Sequence, residues 1–267
     1  MSVAIIGAGV MGETLLSGLI RAGRRVDDLV VGEKRAERAA ELQERYGVET
    51  LTNVEAVQKV DTVVLVVKPQ DMDDVLAELA PVIREGQLVV SLAAGITTGF
   101  LESRLPAGIA VVRVMPNTPA LVDEGMAAIS RGSHCTEEHL TEVESLMAST
   151  GRVLRVPEKQ QDAVTAVSGS GPAYIFFIVE AMIEAGVHLG LPRSTAAELV
   201  VQTLVGSAKL LRETGEHPVV LRERVTSPGG TTAAAIRELE DHKVRAAFLS
   251  ALESARDRSR ALAEGNL

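Results

Sequence analysis

At 267 residues the chain is long enough for one large domain or two ordinary ones, and its 46% hydrophobic content suffices for a sizeable core. A net charge of -9 argues against nucleic acid as a partner, whose phosphates require a basic face. The single cysteine, Cys135, excludes an intrachain disulfide and fits a reducing cytoplasm, while 2% aromatic content with no Trp calls for an aliphatic core.

Val3-Ala4-Ile5-Ile6 reads as a short apolar strand that runs straight into Gly7, Ala8, Gly9, Val10, Met11 and Gly12, a G-x-G-x-x-G turn. Gly7 suits the tight turn, Gly9 lets a pyrophosphate approach the backbone, and Gly12 lets the next helix pack closely on the sheet. That helix is expected over residues 13–22, with Leu15, Leu16, Leu19 and Ile20 apolar. Its N-terminus offers unpaired N–H groups and a positive dipole end to phosphates. The strand begins almost at the first residue, so no secretory leader is expected.

Residues 26–31 read as a second strand, ending at Gly32-Glu33. Glu33 is placed to accept from a ribose hydroxyl, which leads to NAD; Lys34 and Arg35 are placed to neutralise a 2′-phosphate, which leads to NADP. These residues leave both readings open. A helix is expected over residues 36–46, a buried β-branched strand over 62–67 and a helix over 72–83. Strands follow over 88–91 and 110–114, with edge strands over 127–129 and 152–156. Three loops at strand ends carry candidate ligand contacts: Val67-Lys68-Pro69, Ala93-Ala94-Gly95 and Met115-Pro116-Asn117. The repeated βα units predict an α/β, doubly wound sheet of the Rossmann type, which binds ligands outside the carboxyl ends of its strands.

Beyond residue 162 the pattern turns helical and no strand is expected. The predicted domains are therefore 1–160, binding a dinucleotide, and 161–267, all-α. The stretch 173–189 is apolar around most of its circumference, more than about 100 helical residues easily bury alone, so a homodimer through the helical domain is inferred. Glu180, Glu184 and His188 interrupt the same region, which favours a buried helix over a membrane span. Their spacing reads as a polar stripe, and no metal site is expected. Two segments, Ser168-Gly169-Ser170-Gly171-Pro172 and Thr226-Ser227-Pro228-Gly229-Gly230-Thr231-Thr232, gather hydroxyls and glycines at helix starts. Such starts suit an anion, a carboxylate in particular.

Together, the glycine loop, Val67-Lys68-Pro69, Ala93-Ala94-Gly95, Asn117-Thr118-Pro119, residues 168–174, Gly190-Leu191-Pro192 and residues 226–232 resemble pyrroline-5-carboxylate reductases, over residues 3 to about 260. The resemblance implies hydride transfer from NAD(P)H to the C=N bond of L-1-pyrroline-5-carboxylate, giving L-proline. It implies an N-terminal Rossmann domain, a helical dimerisation domain, and dimers that often assemble further, frequently five together into decamers. By position, Asn53, Lys68, Ala94 and Asn117 should line the cofactor site. Ser168, Gly169 and Ser170 should wall the substrate pocket, and Ser227, Gly229, Gly230, Thr231 and Thr232 should hold the substrate carboxylate. Thr232 is the candidate to hydrogen-bond the ring nitrogen. The resemblance favours NADPH as the cofactor; Glu33 counts the other way, standing where many NADP-preferring members carry a small polar residue, and NADH is the alternative. The other readings are a reductase of another small cyclic imine or keto acid, and a non-catalytic dinucleotide-binding regulator. Related β-hydroxyacid dehydrogenases use a lysine where this chain has Ser168-Gly169-Ser170-Gly171. The expected location is the cytoplasm.

Overall fold

The computed structural model describes residues 1–263. They form β1 Val3–Ile6, α1 Val10–Arg21, β2 Leu29–Gly32, α2 Ala36–Tyr46, β3 Glu49–Leu51, α3 Asn53–Gln58, β4 Thr62–Leu65, α4 Met72–Leu79, β5 Leu88–Ser91, α5 Thr98–Glu102, β6 Ala110–Met115, β7 Gly125–Arg131, α6 Glu137–Ala148 and β8 Gly151–Arg155. Helices follow: α7 Gln161–Val164, a π-helical turn Thr165–Gly169, α8 Gly171–His188, α9 Arg193–Thr214, α10 Pro218–Arg224, α11 Thr231–Asp241 and α12 Val244–Ala263. The chain divides into two compact units, Met1–Ser170 with Ala255–Leu267, and Gly171–Ser254.

The first unit is built on one eight-stranded sheet of order β3-β2-β1-β4-β5-β6-β7-β8. All neighbours are parallel except β6 and β7. The central strands β1, β2, β4 and β5 are buried on both faces, as their unbroken apolar runs require, while the outer β3 and β8 are partly exposed. The period of two sends Val3 and Ile5 to the side of Leu15, Leu16 and Leu19 of α1 and Leu140, Val143 and Leu146 of α6. It sends Ala4 and Ile6 to the opposite side, with Val57 of α3, Met72, Leu76 and Leu79 of α4, and Leu101 of α5.

Several expectations shift against this structure. Residues 26–28 form a 3₁₀ turn before β2, with Asp28 N–H closing onto Arg25 O at 3.1 Å. β4 ends at Leu65 rather than residue 67, and α4 at Leu79 rather than 83. Residues 127–129 lie inside the seven-residue β7, which is not an edge: it pairs with β6 on one side and β8 on the other. β3 and α3 were not expected. α3 starts at a capping box in which Thr52 Oγ1 accepts from Glu55 N–H and Glu55 accepts from Thr52 N–H.

The compact units also part at Ser170/Gly171, ten residues beyond the expected boundary at 160/161. Gln161 explains the displacement. It is fully buried, and its amide donates to Ala128 O at 3.2 Å and Ser130 Oγ at 2.7 Å, so α7 is stitched to β7. The last turns of α12 likewise belong to the first unit, where Ser259 Oγ donates to Asp162 at 2.8 Å.

Taken by itself, the second unit pairs α8 with α9, where Gly186 lies so close to Ala196 that a Cβ would stand 2.9 Å from it. An apolar cleft of about 800 Å³ runs along α8, lined by Phe177, Ile178, Met182, Leu239 and Phe248. No residue of α8 is fully buried within the chain, in line with a helix too apolar for one chain to bury alone. The continuous helical stretch Glu158–His188 is long and apolar enough, by length and composition only, to cross a membrane. Among the described residues no group of three or more metal-binding side chains comes together, and Glu184 instead lies 4.0 Å from Arg193 Nη2.

Candidate cofactor and substrate site

The strand order reverses between β1 and β4: from β1 the chain winds outward through β2 and β3, then returns to β4 on the other side. Such a switch point opens a crevice beyond the carboxyl ends of the strands. The glycine loop leaves β1 at this point. Gly7 adopts φ +96°, and a Cβ there would stand 2.8 Å from Val66 O. A Cβ on Gly12 would stand 2.1 Å from Gly7 O, so the first turn of α1 can seat against the loop only without a side chain. Gly9 differs. A Cβ there meets no protein atom within 4 Å, so the protein's own packing does not demand a glycine. Gly9 is also the N-cap of α1 and supplies no side-chain bond to the first-turn N–H groups, which leaves those donors for another partner.

Beside the loop lies an open cleft of about 330 Å³. Three strand-end loops line it together with Met11: Val67-Lys68-Pro69 after β4, Ala93-Ala94 after β5, and Met115-Pro116-Asn117 at the end of β6. Gly169 of the π turn reaches the same cleft, packed so closely on Met115 that a Cβ would meet its Cε at 2.5 Å. π turns of this kind recur at functional sites. Asn117 holds two walls together: Nδ2 donates to Ser168 O at 3.1 Å and Oδ1 accepts from Met126 N–H at 2.8 Å. Ser168 Oγ donates to Val164 O at 3.1 Å, and Ser170 N–H donates to Thr165 O at 2.8 Å. The motif at 168–171 therefore continues a helical path through a π turn rather than breaking it.

Not every candidate joins the cleft. Gly95, at φ +76°, faces the end of α12, 3.6 Å from Ala263 N at its Cβ position. Asn53 is buried at the start of α3, and its Nδ2 donates to Glu78 at 3.2 Å. Glu78 also pairs with Lys34 at 2.9 Å, a partner the sequence does not announce.

Glu33 follows β2 and turns its carboxylate toward the glycine loop. Oε2 accepts from Ala8 N–H at 3.3 Å and Arg35 Nη2 at 3.0 Å; Oε1 accepts from Arg35 N–H at 2.9 Å and Nε at 3.0 Å. Four donors occupy both oxygens, and the side chain is only 6% exposed. Burial alone would raise its pKa, but the hydrogen bonds and charge of Arg35, with the Ala8 N–H, hold it below the ordinary value of about 4.5. Lys34 and Arg35 stand outside it, 66% and 65% exposed.

In the second unit, Ser227 O accepts from Gly230 N–H at 3.0 Å, Gly229 takes φ +70°, and Gly230 caps α11. No side chain caps this helix either, so the first-turn N–H groups near Thr231 and Thr232 carry no internal bond of that kind. Cys135 belongs to the apolar core of the first unit. It is buried, its thiol donates to Val111 O at 2.8 Å, and burial raises its pKa.

Comparison with known proteins follows these landmarks. Residues 158–262 match the family model for pyrroline-5-carboxylate reductase dimerisation, and residues 2–95 that for NADP oxidoreductase, coenzyme F420-dependent. Pyrroline-5-carboxylate reductase of Corynebacterium melassecola is 46% identical over 265 residues, covering 98% of each chain. The chain belongs to the pyrroline-5-carboxylate reductase family. A solved family member from Coxiella burnetii superposes with a TM-score of 0.94 at 38% identity, covering 98% of both chains. One from Plasmodium falciparum, solved with NADP bound, gives 0.88 at 29% identity, also over 98% of both. The helical region is thus a self-association region, and α8, with Phe176 and Phe177 exposed, lies within it.

Proposed function

We infer that the chain reduces L-1-pyrroline-5-carboxylate to L-proline with NAD(P)H, the last step of proline biosynthesis. The observation that carries this reading is the site at the β1/β4 switch point, with the glycine loop, an uncapped α1 and three strand-end loops around one cleft. The residues fit a dinucleotide: the Gly9 backbone admits close approach, and the α1 N-terminus presents donors to a pyrophosphate. When bound, the reduced nicotinamide supplies the hydride.

The protein's share is orientation. Val67, Lys68, Pro69, Ala93, Ala94, Met115, Pro116 and Asn117 wall the nicotinamide end, with Gly95 setting the turn after Ala94 and Asn53 supporting the adenosine end through Glu78. Ser168, Gly169 and Ser170 wall the imine. Ser227, Gly229, Gly230, Thr231 and Thr232 hold its carboxylate through hydroxyls and α11 N–H groups, and Thr232 hydrogen-bonds the ring nitrogen. A cyclic imine protonates readily near neutral pH, so bringing donor and acceptor carbons to about 3–3.5 Å supplies most of the acceleration.

NADPH is the preferred cofactor in this reading. The four donors already on Glu33 leave a ribose hydroxyl to displace one of them, while the exposed Arg35 and Lys34 suit a 2′-phosphate. The assembly is a homodimer in which partner helices cover α8 without a bilayer, with a decamer of five dimers as the higher form, in the cytoplasm.

Incubation with pyrroline-5-carboxylate and NADPH should yield L-proline, one mole for each mole of NADPH oxidised. Absence of proline from folded protein that binds a dinucleotide would sink the substrate assignment.

A further inference from the structure

Ala8, between the first two glycines of the loop, is held at both of its peptide groups by charged side chains from the β2–α2 region. Its N–H donates to Glu33 Oε2 at 3.3 Å, and its carbonyl accepts from Arg38 Nε at 3.1 Å. The Ala8 carbonyl and the Gly9 N–H belong to one planar trans peptide and point in opposite directions. A guanidinium fixed on the oxygen therefore fixes the Gly9 N–H facing away from Arg38. That N–H has no backbone acceptor among the described residues, and Gly9 itself is exposed.

Arg38 is in turn held from three sides. Nη2 pairs with Glu13 Oε2, and Nη1 donates to Glu41 at 2.9 Å. Glu13 is braced at its other oxygen by Arg45 Nη1 and Tyr46 Oη, each at 2.9 Å, and its own N–H donates to Gly9 O at 2.9 Å. The arginine and the glutamate are 23% and 19% exposed. One planar fork thus bridges the glycine loop and the first turn of α1, a geometry that a lysine point charge cannot reproduce.

We propose that Arg38, acting with Glu13, is a positioning residue for the dinucleotide: it locks the Ala8–Gly9 peptide plane so that the Gly9 N–H faces the pyrophosphate. The proposal rests on reading the glycine loop as the cofactor site. It separates two roles on one stretch of chain. Arg35 acts on the 2′-phosphate and so on NADPH alone, whereas Arg38 acts on the part that NADPH and NADH share.

The test is equilibrium titration of the full-length protein with NADPH and NADH, for wild type, Arg38→Met, Arg38→Lys and Glu13→Gln, with a thermal melt of each. Arg38→Met should weaken both dinucleotides by the same factor, about tenfold. In turnover the loss should fall on KM for the cofactor rather than on kcat. Arg38→Lys should recover only part of it, and Glu13→Gln should give a smaller loss, again equal for the two. If Arg38→Met does not fold, the isosteric Glu13→Gln carries the test. Unchanged affinities in the folded variants overturn the proposal, as does a loss confined to NADPH, which would make Arg38 a 2′-phosphate ligand. Wild type that binds neither dinucleotide overturns the cofactor reading beneath it.

Discussion

Val3, Ile5, Val64 and Val90 of the sheet unit are sealed between helices of their own chain, whereas Phe176 and Phe177 of α8 stand 66% and 73% exposed. Both regions are aliphatic-rich, so composition does not separate them. The difference is closure. Parallel strands with helices on both faces bury alternate side chains in two cores within one chain. Helix α8, apolar around most of its circumference, packs on α9 and borders an open cleft with α11 and α12, yet none of its residues is fully buried within the chain. A nucleotide-binding unit complete in itself is thus joined to a helical unit that completes its surface by self-association.

The sharpest way to break this contrast is inside the self-sufficient unit. Gly12→Ala places a Cβ where Gly7 O stands 2.1 Å away, so the loop or α1 must move. Overpacking of this kind costs about 1–3 kcal/mol, and cofactor affinity should fall by roughly a hundredfold once the loop shifts. Titration with NADPH beside a thermal melt separates the two losses. The converse change, Phe177→Glu on α8, should dissociate the assembly in sedimentation and abolish most turnover. The same variant should still bind NADPH within a few-fold of wild type, because its sheet unit is untouched. Loss of dinucleotide binding there would mean that the two units do not differ as described.

Thr232→Ala addresses the second unit's part in chemistry. Turnover should fall by about 10²-fold, the low end for a group assisting proton transfer, with NADPH affinity near wild type. Unchanged turnover would remove Thr232 from the ring nitrogen.

Smaller effects sharpen the picture at the adenosine end. Arg35→Ala should lower the NADPH/NADH ratio of kcat/KM by about tenfold, the worth of one charge-assisted contact. The smallest expected effect is a pH dependence. Glu33 has its folded pKa depressed below about 4.5 by Arg35 and Ala8 against the opposing pull of burial. It therefore contributes stability that is present above that value and is lost as pH falls through the folded pKa. Glu33→Gln should flatten the acid limb of a melting-temperature profile; an unaltered limb would show that the ion pair adds nothing.

The contrast between the units also decides what could be read from the chain alone. α2 and β5 fall on their expected bounds, because an amphipathic period and a β-branched run are local signals. β3 is three residues long and partly exposed, too short to show a period, though Thr52 and Glu55 after it carried a capping-box signal for α3. The strand-end loops of the cleft were legible because glycines and prolines mark where strands stop. The grip of Arg38 on Ala8, 30 residues away, and the bond from Asn53 to Glu78, 25 residues away, were not. Each depends on which elements the sheet order brings together, and no spacing along the chain encodes that. The exposure of α8 was foreshadowed by its composition, but only the folded chain shows how little of it α9 covers.

One measurement tests the central claim most directly: steady-state oxidation of NADPH and of NADH, in parallel, with L-1-pyrroline-5-carboxylate and with a cyclic imine lacking the carboxylate. The account predicts rapid turnover of pyrroline-5-carboxylate, faster with NADPH, and a large loss when the carboxylate is absent. No turnover of pyrroline-5-carboxylate with either cofactor, from folded and self-associated protein that binds one of them, would contradict it.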